Sequence, residues 1–151
     1  MRLVQASDVY VLTGLTGDQL REWTVRRGLI EPDTKPSGPG TRARFSWQTV
    51  LLLRIAVVLK DRFHVELQAQ KTLFANLSRR LAGTSFPALR GTVVILRDGG
   101  DTEILSVDNL SEVPGDFLSI RLDPHLDILS TGFGLLEPLR QLPLFPARAV
   151  A

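Results

Sequence analysis

Near the start of the chain, Val9 and Leu12 lie three residues apart, in a segment that Ser7 can cap. That spacing predicts a short helix over 8–13, ended by Gly14. After the link Gly14-Leu15, Thr16 and Gln19 stand at capping-box spacing. The hydroxyl can accept from the amide at 19 while the Gln side chain returns to the amide at 16. A second helix is expected from there to about Arg27, with Gly28 as a left-handed cap and Leu29-Ile30 folding back on its apolar face. At about 100° per residue, Leu20, Trp23, Thr24 and Arg27 share one side, and Asp18, Arg21, Glu22 and Val25 the other. Two short helices joined by a tight Gly turn have helix-turn-helix spacing.

Residues 31–40, EPDTKPSGPG, are punctuated by Pro and Gly and read as a loop or hairpin tip. In the following 41–45, strand alternation puts Arg42 and Arg44 on one face and Ala43 and Phe45 on the other. Ser46 is an N-cap for a helix over 47–60, WQTVLLLRIAVVLK, which is apolar nearly all round and so predicted to be buried. A loop, a short strand with outward arginines and a core helix together make a wing beside a helix-turn-helix. A further helix over 65–81 carries the stripe Leu73, Phe74, Leu77 and Leu81. His64 is expected as a partly buried linker residue. Beyond a break at 83–87, strands are predicted over 92–97, 102–107 and 117–122, the first two joined by the hairpin turn Asp98-Gly99-Gly100-Asp101. Asp123-Pro124 starts a short helix through Leu129, and 130–145 reads as an irregular tail. The expected fold class is α+β: a winged helix-turn-helix over 1–82, then a small antiparallel sheet region over 83–151 for dimerisation or partner binding.

Composition narrows the chemistry. The 151 residues are 44% hydrophobic and 23% charged, which fits a globular chain of one ordinary domain or two small ones. There is no cysteine, and His64 and His125 are the only histidines. Disulfides, thiolate nucleophiles and Cys-ligated metals are excluded, and a His-rich metal site is disfavoured. No secretory signal is visible, and no apolar run approaches the roughly 20 residues that span a bilayer, so a soluble, cytoplasmic protein with no membrane role is expected. The net charge of +2 hides an asymmetry: residues 1–82 hold 13 Lys/Arg and 7 Asp/Glu, a balance of +6, against 5 and 9, or −4, in 83–151. A basic half joined to an acidic half points to a polyanion partner for the first. All its basic residues but Lys35, Lys60 and Lys71 are arginines, which suit bidentate contacts to phosphate and guanine.

The string LTGLTGDQLREWTVRRGLIEP, then GTRARFSW, then an apolar helix, resembles the MerR-type winged helix-turn-helix family over about residues 5–78. The matching elements are Leu12-Thr13-Gly14, Leu20-Arg21, Trp23, Gly28-Leu29-Ile30, Pro32, Gly40-Thr41-Arg42 and Phe45. Three features depart from the family pattern. Glu22 stands where the first of two aromatics is usual, one extra residue lies between Arg21 and Gly28, and no long C-terminal dimerisation helix is evident. The resemblance implies a DNA-binding regulator in which Arg21 contacts backbone or base, Trp23 packs near a phosphate, and Arg42 and Arg44 are wing contacts.

The candidate DNA-binding residues are therefore Thr16, Asp18, Gln19, Arg21, Glu22, Arg26 and Arg27 on a recognition helix over 16–27, and Lys35, Arg42 and Arg44 on a basic wing over 35–45. Glu22 is expected to accept from a cytosine amine or to orient Arg21 and Arg26. Specific regulators of this kind act as dimers on two half-sites, so a homodimer on double-stranded DNA is expected. Other candidates are weaker. Asp98 and Asp101 are explained by turn chemistry. Asp123, His125 and Asp127 are closely spaced but lack a second His. No nucleophile elbow, phosphate-binding loop or dinucleotide fingerprint is present, so an enzyme is the least favoured reading and no cofactor or metal is expected. Two alternatives stay open: an excisionase-like DNA-bending factor, and a protein-interaction module, such as a toxin-neutralising partner, acting through the C-terminal region.

Overall fold

The computed structural model describes residues 2–135. Helix α1 (Ala6–Thr13) begins two residues before the expected start, because the main-chain amide of Gln5 donates to Asp8 Oδ2 at 3.1 Å and sets the first turn. Ser7 therefore lies inside the helix and is not its cap. Gly14 ends it in the left-handed conformation. Helix α2 (Gly17–Arg21) has the predicted capping box: Gln19 N donates to Thr16 Oγ1 at 3.1 Å and Thr16 N to Gln19 Oε1 at 3.0 Å.

After the loop that follows α2, Ser46 caps α3, its Oγ accepting from Thr49 N, as expected. Helix α3 (Trp47–Phe63) runs three residues past the predicted end and stops at His64, which takes φ 53 as the cap. His64 is exposed, not partly buried: the left-handed cap turns the chain away from the core there. Leu51, Leu53, Ile55 and Ala56 are wholly buried, so α3 is the central helix. A 3-10 turn (Leu67–Gln70) precedes α4 (Lys71–Ala82), later than the predicted start at 65. All four residues of its predicted stripe are buried.

The fold class is α+β. Strands β1 (Thr92–Leu96), β2 (Thr102–Ser106) and β3 (Leu118–Arg121) form an antiparallel sheet of order β2-β1-β3, with Val94 opposite both Ile104 and Ile120. Arg97, Val107, Phe117 and Leu122 fall just outside the strands predicted to include them. Helix α5 (Asp123–Phe133) passes Leu129 by one turn, so 130–133 are helical and not irregular tail. The helix runs on to Gly134, its left-handed cap, with Gly132 inside it. A Cβ there would lie 2.4 Å from Leu12 Cδ2, so a residue that reads as a breaker is the point where α5 closes on α1. The rest of the predicted tail, 136–145, lies outside the described residues.

One hydrophobic core runs from Val4 to Phe133. Trp47 meets Phe86 edge-on at 5.1 Å, and Arg2 Nη1 donates to the Phe133 carbonyl at 3.0 Å. Each contact joins the first 82 residues to those that follow.

Candidate nucleic-acid interface

The second helix departs from regular geometry just where the expected recognition surface lies. After Arg21 the chain enters a π turn (Glu22–Arg26), and Arg27 N donates to Glu22 O at 2.9 Å, five residues back. A π turn holds one more residue than an α turn. Leu20 is buried before this stretch, Trp23 within it, and Leu29 and Ile30 after it. Burial thus holds both ends of the stretch, and the chain between them is accommodated by widening the helix. Gly28 closes it at φ 58, as predicted, while Leu29 N reaches back to Trp23 O at 2.8 Å.

The widening changes which side chains meet. Glu22 Oε1 accepts from Arg27 Nε at 2.7 Å, and Glu22 Oε2 accepts from Arg26 Nη1 at 3.2 Å. Residues five apart are brought together by the π register. These bonds, first that from Arg27 and then that from Arg26, hold the Glu22 carboxyl below its usual pKa. The expectation that Glu22 orients Arg26 is met. Its pairing with Arg21 is not: Arg21 faces Asp18 instead, at a loose 3.9 Å, and both are exposed. Trp23 is buried beneath this face with Lys60 Nζ 5.6 Å from its ring centroid, a cation–π contact.

Each of the remaining helix candidates has a defined place. Thr16 and Gln19 spend their oxygens on the capping box, which leaves the Gln19 amide NH2 group outside it. Asp18, Gln19, Glu22, Arg26 and Arg27 line one open hollow with Trp23 and Lys60. Lys35, Arg42 and Arg44 line a second, with Thr34 and Thr41. The two hollows share no residue.

The wing is less regular than predicted. In place of a strand over 41–45 there are single bridges, Thr34 with Arg44 and Val4 with Phe45. Arg44 N donates to Thr34 O at 3.0 Å, and Phe45 N to Val4 O at 2.9 Å. Only two residues find partners because Gly38, Pro39 and Gly40 turn the loop, with Thr41 Oγ1 donating to Gly38 O at 2.6 Å. Arg42 is exposed and Arg44 half-buried, so the two are not equivalent as alternation implied. Neither makes a side-chain hydrogen bond or ion pair among the described residues. Lys35 is only weakly engaged, 3.4 Å from Glu31, with both groups exposed.

Asp33 was not singled out from the sequence, yet it fixes the base of the wing. Its Oδ1 accepts from Ser46 N at 2.7 Å and from Thr49 Oγ1 at 2.6 Å. One carboxylate thus ties the loop to the amide end of α3, where negative charge is favoured. No local spacing marks such a contact across 13 and 16 residues.

The weaker candidates take structural roles. Asp123 Oδ1 accepts from Gly91 N, Asp127 pairs with Arg90 at 2.6 Å, and Asp101 pairs with Arg97 at 3.1 Å. His125 is buried, and its Nδ1 accepts from Arg54 Nε at 3.0 Å. Arg54 also donates to the Leu12 carbonyl at the end of α1. Burial, with Arg54 and Arg62 nearby, pushes the His125 pKa down to about 4. Among the described residues no group of three His, Cys, Asp or Glu is placed to hold a metal ion, and no helix is long and apolar enough to cross a membrane. No family model matches the chain, and no curated protein matches it.

Proposed function

We propose that this chain is a sequence-specific DNA-binding transcriptional regulator, built on a winged helix-turn-helix like that of the MerR-type family it resembles. The stretch 16–27 would lie in the major groove. Arg21 would face base edges with Asp18 and Glu22 beside it, Thr16 and Gln19 at the entry and Arg26 and Arg27 at the far end. Lys35, Arg42 and Arg44 would hold the flanking sugar-phosphate backbone. A homodimer reading two half-sites, working in the cytoplasm, completes the proposal, and residues 83–151 would serve dimerisation or a protein partner.

The observation that carries this reading is the state of the wing arginines. Arg42 and Arg44 stand on a loop anchored at both ends and have no partner among the described residues. Two guanidinium groups carried on an anchored loop, with no carboxylate beside them, suit an external anion.

Fluorescence anisotropy of the purified protein on its own upstream DNA and on scrambled DNA, across a salt series, tests it. Selective binding is expected. Arg21→Ala should cost about 1–3 kcal/mol and relax the sequence preference, while Arg42→Ala should weaken all sequences and reduce the salt slope by about 1. Equal binding to both DNAs, unchanged by either substitution, or no binding at low salt, would sink the reading.

A further inference from the structure

The clamp at the end of the second helix has a consequence that runs against its positive charge. Arg26 and Arg27 are half-exposed cations on the proposed DNA-facing element, yet each is bonded to the same carboxylate. Glu22 reaches both because the π turn sets positions 22 and 27 one above the other. Arg21 lies outside the clamp, and the wing arginines are far from it in the chain. The Asp18 and Glu66 carboxylates line the same hollow, so the surroundings of the clamp are not simply basic.

Resting on the DNA-binding reading, we propose that Glu22 is a specificity-determining residue. It holds Arg26 and Arg27 back from indiscriminate phosphate contact and leaves discrimination to Arg21 and its neighbours. Phosphate contacts raise affinity for every sequence alike, whereas base contacts separate one sequence from another. A carboxylate that occupies two guanidinium groups, and itself repels the DNA backbone, lowers the sequence-independent part of binding more than the specific part. Such a repulsive element sharpens selectivity at the expense of affinity. The bonds from Arg27 and then Arg26 favour the charged form of the Glu22 carboxyl.

The test is Glu22→Gln, which keeps the size of the side chain and removes its charge. Anisotropy titrations with cognate and scrambled duplexes would run from low to physiological salt, beside the thermal unfolding curve of each protein. Scrambled DNA should bind roughly tenfold tighter at low salt, and the salt slope should steepen by about 1–2, since each released arginine adds about 0.9. The ratio of cognate to scrambled affinity should fall. Coincident unfolding curves for the two proteins show that the gain in affinity does not come from a disturbed fold, which separates this role from a structural one. Placed on Arg26→Ala/Arg27→Ala, the same substitution should leave the slope where that double variant has it. If Glu22→Gln weakens cognate binding and spares scrambled binding, Glu22 reads a base and the proposal falls alone. An unchanged slope also overturns it. If the wild-type protein binds neither duplex at the lowest salt, the DNA-binding reading falls and takes this one with it.

Discussion

Arg90 and Arg97, on either side of β1, each reach two carboxylates: Asp123 and Asp127 for the first, Asp101 and Glu103 for the second. Arg42 and Arg44 on the wing reach none among the described residues. Arginine is spent inward beside the sheet and left available outward on the wing. An internally paired guanidinium adds to the fold and has less capacity for anything else. An unpaired one in water adds little to the fold and keeps its five donors for an external anion. The net charges of the two parts already count these pairs, so what pairing adds is which cations are left available. Glu22 stands between these cases, a carboxylate within the basic part that treats Arg26 and Arg27 as the sheet region treats Arg90 and Arg97.

The contrast in charge sits on a shared core, and the largest predicted effect tests that sharing. Leu53 is wholly buried on α3, the helix that packs against α1, α4 and α5. Leu53→Ala should lower stability by about 2–5 kcal/mol. If the core is one cooperative unit, tryptophan fluorescence (Trp23 and Trp47) and amide-exchange protection of Val93, Val94 and Ile95 should be lost at the same denaturant concentration. Protection of the strands that outlasts the fluorescence change would divide the molecule at the boundary where its charge changes sign.

A smaller effect follows from the Arg54–His125 contact between the two parts. The imidazole titrates near 6.5 when unfolded and near 4 when folded, because burial and then Arg54 and Arg62 oppose its protonation. Between those values the unfolded chain binds a proton that the folded chain does not. Stability is therefore lost as the pH falls from about 6.5 towards 4, by up to about 3 kcal/mol, and this contribution is level above and below that window. His125→Gln keeps an acceptor for Arg54 Nε and abolishes that part of the slope. Denaturant unfolding at pH 7 and pH 4.5, with and without the substitution, isolates it from ordinary carboxylates. Identical slopes for the two proteins would show that the imidazole is not held neutral.

What the sequence disclosed and what it hid divides along the same lines. The α4 stripe, the Ser46 cap and the Thr16–Gln19 capping box are written in residues within one or two helical turns of one another, and all formed as read. The contacts that position the wing and join the two parts span 10 to 131 residues, so no local pattern announces Asp33 or the Arg2–Phe133 bond. The π turn is an intermediate case. The Gly28 cap is legible in the sequence, but the widened turn before it depends on Trp23 and Leu29 both being buried, a tertiary fact. Gly132 misled for the same reason, since its use is set by Leu12 on another helix. Lys35, Arg42 and Arg44 line one hollow without the expected strand, and Glu22 took Arg26 and Arg27 as partners and not Arg21.

The smallest effect bears most directly on the contrast between spent and available arginines. Arg90 is mostly buried and bonded to Asp127 at 2.6 Å and to the Asp123 carbonyl at 3.3 Å, and its guanidinium stands 5.9 Å from the Phe86 ring centroid. Arg90→Ala should therefore cost about 1–2 kcal/mol of stability, the upper part of what partly screened charged hydrogen bonds contribute, and leave DNA affinity and its salt slope unaltered. Arg42→Ala should do the opposite, with stability within about 0.5 kcal/mol of wild type and a clear loss of DNA affinity. Denaturant unfolding and anisotropy on the same two variants form a two-by-two comparison. If Arg42→Ala destabilises the fold as much as Arg90→Ala, the wing arginine has an internal use, and its lack of a partner no longer argues for an external one.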